Sequence, residues 1–597
     1  MTTSPSTIIG RLDAYREDMK SAGLQASIVP RTDPHLSEYI SSHWHCVRYL
    51  TGFTGSAGTL VVTLDGAYLW VDSRYFLQGE QQTRDTGITL MKEGLPGTPT
   101  IAGFLTSTLK AGDTVGIDGL LMSVQEARSL QGALSARDIK LDVNYTPMDR
   151  VWADRPLLPQ DPVFIHDEKY AGESAASKLA TLRDDIAKAG ADAFFSSALD
   201  EIAWVLNLRS TDVPCNPVAT SFLYVGPSEA VLFIDPAKMT AEANDYLAKA
   251  GVSTRPYGEA LDYLKGIDSS VKVLLSGSKA SWGVMTALDG HYVIGESPLQ
   301  LPKAIKNAVQ QEGIRQAHVR DGAAMVKSII EIKHIMDNGG ELTEIGVAEI
   351  LERNRRKDGL FFDLSFESIC GFGPNGAIVH YSATPESDTR LELNNLLLID
   401  SGANYLDATT DITRTIALGT PSADMRHDFT LVMKGHIAIA TAIFPAGTRG
   451  HQLDAMARMP LWKEGKSYLH GTGHGVGHFL NVHEGPQSIR LNDTMAPMMP
   501  GMLTSNEPGV YLEGRYGIRC ENLVLTVPAM TTEFGDFLGF ETVTMCPFDR
   551  VLFDTEIMSE AEIEWVNLYH RRVYDNVAPL LDENERAWLA EACAPLK

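Results

Sequence analysis

The chain has 597 residues, 44% of them hydrophobic and 21% charged, with a formal net charge of -25 at pH 7. That length outgrows a single core, so several domains are expected. So negative a balance excludes a general nucleic-acid or anionic-membrane partner, since both are drawn by cationic surface. No apolar run approaches the ~18 residues of a membrane span, and the stretch from Met1 to Gly10 lacks an apolar signal core, so cytoplasm is the default compartment. Six cysteines between Cys46 and Cys593 show no metal or redox spacing and read as free thiols.

Residues 1–160 alternate helix and strand signals. Ile8 to Ala22 is amphipathic at the helical period, and Ala26 to Val29, Thr59 to Leu64 and Ala67 to Phe76 read as strands, which together predict an α/β domain. Gly55-Ser56-Ala-Gly58 is no nucleophile elbow, because Thr54 stands where the first glycine belongs. Residues 161–302 repeat the pattern: a helical Ala175 to Ala189, a strand at Ala193 to Ser196, then Ser221 to Val225 and Ala230 to Asp235. Ser276-Gly-Ser-Lys279 fits a Ser-x-x-Lys pattern, but no Lys-Thr-Gly accompanies it. Pro298 to Pro302 reads as a linker, and residues 303–597 form the third domain. Its predicted helices are Gln311 to Met336, Leu342 to Arg356, Thr430 to Ile443, His451 to Trp462 and Ser559 to Tyr574. A strand from Phe361 to Cys370 leads into the turn-rich Gly371 to Gly376, just before His380.

The chemistry gathers between Ile399 and Asn522. Asp400 ends the apolar run Leu396 to Ile399, which predicts a buried strand delivering a carboxylate. Alternation around Ile412 and from Ile518 to Glu521 puts Asp411 on one face with Thr413, and Arg519 with Glu521. His470-Gly-Thr-Gly-His474-Gly-Val-Gly-His478 is followed by His483, and Asn506-Glu507-Pro-Gly by Arg519-Cys-Glu521-Asn522. Taken singly these are bland: Asp-Ser-Gly and Glu-Pro-Gly are ordinary turns, and a lone histidine is more often structural than a ligand. The glycine run is not a dinucleotide fingerprint, because Val476 replaces the third glycine and no strand signal precedes it. Nor is it a zinc-protease helix, since Gly471 stands where the glutamate belongs and glycines recur at every second position. The ordered set is the specific feature. Asp400, Asp411, Glu507 and Glu521 brought together would repel and take up protons unless cations neutralised them, and a dinuclear metal centre that includes His474 supplies that charge.

This set, with Pro374-Asn-Gly-Ala-Ile-Val-His380-Tyr and Phe479-Leu-Asn-Val-His483-Glu-Gly-Pro486, resembles the pita-bread metallopeptidases over nearly the whole chain. Within that superfamily it is most similar to the long, three-domain cytosolic aminopeptidase P family. The resemblance implies two tandem creatinase-like α/β domains followed by a pita-bread α+β catalytic domain, whose antiparallel sheet is backed by helices. It implies a hydrolase that removes an N-terminal residue from peptides with proline at the second position, using a hydroxide that bridges two metal ions ~3.5–4 Å apart. Asp400 would hold one ion, His474 and Glu507 the other, with Asp411 and Glu521 bridging. Glu507 would also accept and pass on the proton. His380 and His483 would position substrate and stabilise the oxyanion. His470 and Arg519 would shape the substrate pocket, and His478 has no matched role. Oxygen-rich ligation favours manganese, two ions per subunit, with zinc or cobalt as alternatives. A homodimer is implied as well. Val510 and Cys520 depart from the family pattern in the pocket lining. Prolidase, a creatinase-like enzyme without metals and a non-enzymatic binding module on the same fold are the competing readings; the duplicated N-terminal half speaks against the first and the intact ligand set against the other two.

Overall fold

The computed structural model describes residues 3–597. The chain divides into two compact units, Met1–Asp167 with Glu173–Gln300, and Glu168–Gly172 with Leu301–Lys597.

The first unit holds two six-stranded mixed sheets. In spatial order the first runs Ile88–Lys92, Ala67–Val71, Thr59–Thr63, Ala26–Pro30, Thr114–Ile117, Lys140–Asp142. The second runs Val252–Arg255, Ala230–Ile234, Ser221–Val225, Ala193–Ser196, Val273–Ser276, Tyr292–Gly295. Both share one pairing scheme: two antiparallel pairs among the first three strands of each sheet in chain order, and parallel pairs toward each edge. The internal repeat is therefore a repeated topology. Ser221–Val225 and Ala230–Ile234 are buried along their whole length, which is why Phe222 to Val225 and Ala230 to Ile234 read as unbroken apolar runs.

The second unit packs helices against antiparallel sheets. Ala308–Asp337 is a 30-residue helix opened by a capping box of Asn307 and Gln310. It buries Val326, Ile329 and Ile332 in one core with Leu397 and Ile399 of the strand Asn395–Ser401 and with Phe429 and Val432 of the helix Ala423–Ala440. Asn395–Ser401 is the centre of a three-stranded sheet, between Ile369–Phe372 and Ile412–Leu418. A six-stranded sheet orders Phe444–Pro445, Gly535–Thr542, Asn522–Thr532, Leu503–Asn506, Gly473–Gly475 and Glu484–Ile489.

Four expectations shift. The linker is helical from Gln300 to Ala304. The stretch from Phe361 to Cys370 is two strands, Phe361–Leu364 pairing with Ala403–Tyr405 and Ile369–Phe372 with Asn395–Ser401; the alternation breaks at Ser365, which bonds Gly402 O and Thr410 O instead. The helix expected from Thr430 starts at Ala423, where Ser422 caps it ahead of a polar first turn. The glycine run, without a strand signal, contributes Gly473–Gly475 to the sheet. All six cysteines are free, as expected.

Candidate metal centre

Asp400 and Asp411 arrive on neighbouring strands. Asp400 stands opposite Thr413 in the antiparallel register, and Asp411 directly precedes Ile412–Leu418; both are buried. Glu507 follows Leu503–Asn506, while Glu521 sits between Tyr516–Arg519 and Asn522–Thr532. Because Asn506 and Asn522 are register partners, the ladder brings the two glutamates to one end of the strand pair. His474 is the middle residue of Gly473–Gly475. A Cβ on Gly473 would lie 1.8 Å from Ser505 O, so only glycine lets this strand press against the one that leads to Glu507.

The side chains converge. One ligating atom each from Asp411, His474 and Glu521 lies within 4.8 Å of the others. His474 Nε2 is 3.5 Å from Asp411 Oδ2 and 3.3 Å from Glu507 Oε1. Its Nδ1 donates to Gly475 O at 3.0 Å, which orients the ring. Burial opposes charge on this imidazole, but the hydrogen bond to Asp411 and the charges of Glu507 and Asp411 outweigh it and lift the pKa to about 9. Burial, reinforced by neighbouring carboxylates, pushes the carboxyl groups of Asp400, Glu507 and Glu521 up, against Arg519 at Asp400 and against His474 and Arg519 at Glu507.

Two of these carboxylates are only half satisfied by the protein. Arg519 Nη2 donates to Asp400 Oδ2 at 2.6 Å, and Thr413 Oγ1 to Glu521 Oε2 at 2.8 Å. Asp400 Oδ1 and Glu521 Oε1 are buried acceptors with no donor among the described residues. Leaving such oxygens unpaired is costly, and a cation is the partner that suits them. Four carboxylates and one imidazole are also a donor set for hard divalent ions. The residues fit a metal site.

Around this set lies a rigid support. Arg414 is wholly buried and donates to Glu521 O at 2.6 Å, to Asn522 Oδ1 at 2.8 Å and to Cys546 O at 2.7 Å, with its guanidinium over the Phe548 ring. His436 links both glutamate strands: Nδ1 donates to Asn506 O at 3.1 Å and Nε2 accepts from Asn522 Nδ2 at 3.3 Å. Arg519 donates to Thr413 Oγ1 at 3.2 Å, to the Tyr511 hydroxyl at 2.8 Å and to Val379 O at 3.3 Å, so it reaches the residue before His380. His470 Nε2 is 2.8 Å from the same Tyr511 hydroxyl. His483 packs edge-on to His474 with ring centroids 4.3 Å apart. His478 is buried. Tyr511, Arg414 and His436 were not singled out from the sequence. Arg414 closes the run Thr409-Thr-Asp411-Ile-Thr-Arg414 that carries the second aspartate, whereas His436 sits inside a helix with no motif to mark it.

Comparisons with known proteins agree with this architecture. The profile of metallopeptidase family M24 matches residues 312–528, and that of the C-terminal region of the same peptidases residues 536–596. Creatinase/prolidase N-terminal domain profiles match residues 11–146 and 154–310. A probable Xaa-Pro aminopeptidase P of Coprinopsis cinerea is 43% identical over 615 residues, covering 98% of each chain. Aminopeptidase P2 of Arabidopsis thaliana is 42% identical over 616 residues, covering 96% of this chain and 86% of its own. The crystal structure of X-prolyl aminopeptidase from Caenorhabditis elegans, described as a cytosolic enzyme with a di-nuclear active site, matches with a TM-score of 0.96 at 33% identity over 100% of both chains. The chain thus belongs to metallopeptidase family M24, in the branch that carries creatinase-type N-terminal domains and whose relatives are named Xaa-Pro aminopeptidase P.

Proposed function

We propose that the chain is a dinuclear metalloaminopeptidase that hydrolyses the bond between an N-terminal residue and a following proline. The observation that carries this reading is the pair of buried, donorless oxygens, Asp400 Oδ1 and Glu521 Oε1, beside Asp411, His474 and Glu507. Those five residues would hold two divalent ions, manganese by preference. Such ions acidify water into a nucleophile and polarise the scissile carbonyl. Glu507 would accept the proton of the attacking water and return it to the leaving nitrogen. His380 and His483 donate hydrogen bonds to the carbonyl oxygen as it gains charge, and His470 and Arg519, joined through Tyr511, shape the pocket.

Proline preference has a physical logic. The Xaa-Pro amide has no N–H to offer a strand-pairing protease, and its ring fixes the backbone, so a pocket built for the ring gains what other proteases lose. The names of the full-length relatives favour an aminopeptidase over a dipeptidase. We assign residues 1–160, 161–302 and 303–597 to three domains, a homodimeric assembly, and a cytoplasmic location. No helix among the described residues is long and apolar enough to cross a membrane.

Metal analysis of protein purified without added metal, with cleavage of an Xaa-Pro-Pro peptide and an Xaa-Pro dipeptide side by side, tests the reading. Manganese-dependent release of the first residue from the longer peptide is expected. Full activity after verified metal removal, or cleavage of the dipeptide alone, overturns it.

A further inference from the structure

Glu344 is wholly buried and lies outside the proposed ligand set. It begins the helix Glu344–Arg355, yet it does not cap it. Thr343 does that, its side chain accepting from Gly346 N. Every donor to the Glu344 carboxylate instead comes from 28 to 45 residues away. Phe372 N donates to Oε1 at 2.7 Å, Asn375 Nδ2 to Oε1 at 3.0 Å and to Oε2 at 3.1 Å, the Tyr381 hydroxyl to Oε2 at 2.7 Å, and Thr389 N to Oε2 at 3.1 Å. These donors mark the start, middle and end of one segment, 372–389, and that segment carries His380 beside Tyr381.

The same segment touches the ligand strands. A Cβ on Gly517 would lie 1.7 Å from Gly376 O, so the segment rests directly on the backbone of Tyr516–Arg519. Arg519 then ties Val379 O, at 3.3 Å, to Asp400, at 2.6 Å. One buried carboxylate therefore fixes a loop that carries the candidate substrate histidine and is tied through Arg519 to a candidate metal ligand.

We infer that Glu344 is a positioning residue for the peptidase reaction, acting through His380 without touching substrate or metal. The inference rests on the substrate role proposed for His380. Glu344→Gln keeps the shape but turns one oxygen into an N–H donor that faces N–H and O–H donors.

The test compares Glu344→Gln with wild type for kcat and KM on an Xaa-Pro-Pro peptide, manganese stoichiometry, and hydrogen exchange over residues 373–389. Glu344→Gln is also made in a His380→Ala background. Expected are a ~10²-fold fall in kcat/KM carried mainly in kcat, as for a misplaced reacting group, with unchanged manganese stoichiometry and faster exchange in the segment. In the His380→Ala background the further fall should stay within ~2-fold, because the two changes act on one contact. Unchanged kinetics and exchange overturn the inference. So does a fall in the His380→Ala background as large as in wild type, which is the mark of a merely structural role. Should Glu344→Gln fail to fold, Tyr381→Phe deletes a single donor. A ~10-fold fall with the same non-additivity is then expected, and unaltered activity refutes the idea. A wild-type chain inactive on the peptide overturns the peptidase reading instead. The exchange comparison still decides the hold of Glu344 on the segment, and unchanged protection there overturns it.

Discussion

Arg519 Nη2 lies 2.6 Å from Asp400 Oδ2, and both groups are buried. Breaking such a pair from one side leaves an uncompensated charge, at a cost of ~3–5 kcal/mol. Divalent ions beside Asp400 would supply part of the missing positive charge. Arg519→Met should therefore destabilise the chain by ~3–5 kcal/mol in the presence of a chelator and by clearly less with manganese, read as shifts in denaturant midpoint. An equal loss under both conditions would argue against a cation next to Asp400.

Two buried histidines set an acid limit on stability. Burial, with the charge of Arg414, pushes His436 and His570 down to about 3 each. Their bonds agree with neutral rings, since His570 Nε2 accepts from Phe548 N at 3.1 Å and His436 Nε2 accepts from Asn522. Between pH 6.5 and 3 the unfolded chain binds the extra protons, so stability is full above 6.5 and falls as pH drops. At pH 5 each ring has given up ~2 kcal/mol relative to neutral pH. His570→Gln, which can still accept the Phe548 N–H, should reduce the loss of stability between pH 7 and 5 by ~2 kcal/mol. An identical pH dependence in variant and wild type would contradict the assignment.

Strands buried on both faces were legible to the residue: Ala193–Ser196 and Ser221–Val225 are short apolar runs, each bounded at one end by a serine. The helix Ala423–Ala440 lost its first two turns to the reading because Asp424, Arg426 and His427 carry no apolar period, and only the Ser422 cap marks the start. The break at Ser365 was illegible because it depends on which of two strands the chain meets next. At the site, motifs marked the carboxylates and histidines but not their supports. Glu344 and His436 act through hydrogen bonds that span 28 to 86 residues, and no local pattern records a partner that far away.

A homodimer should appear in sedimentation at micromolar concentration as a species of twice the 65.2 kDa chain mass. Obligate interfaces bury enough area to persist at that dilution. A species at the chain mass alone would refute the assembly.

His474 and His483 pack ring to ring, 4.3 Å apart at the centroids, yet they are assigned opposite tasks. His474 Nε2 faces Asp411 and Glu507 within 3.5 Å, the geometry of a metal ligand. His483 is assigned to the oxyanion. His483→Ala should then keep both ions while kcat falls ~10²–10³-fold, the usual cost of removing one oxyanion donor. KM should change much less, because the bond strengthens as charge develops on the carbonyl. His474→Ala removes a ligand, so manganese stoichiometry should fall along with the rate. Bound metal and steady-state kinetics for both variants, at one manganese concentration, separate the two roles. If His483→Ala loses metal as His474→Ala does, the roles are misassigned; if His474→Ala keeps both ions, the imidazole is no ligand and the site is held by carboxylates alone.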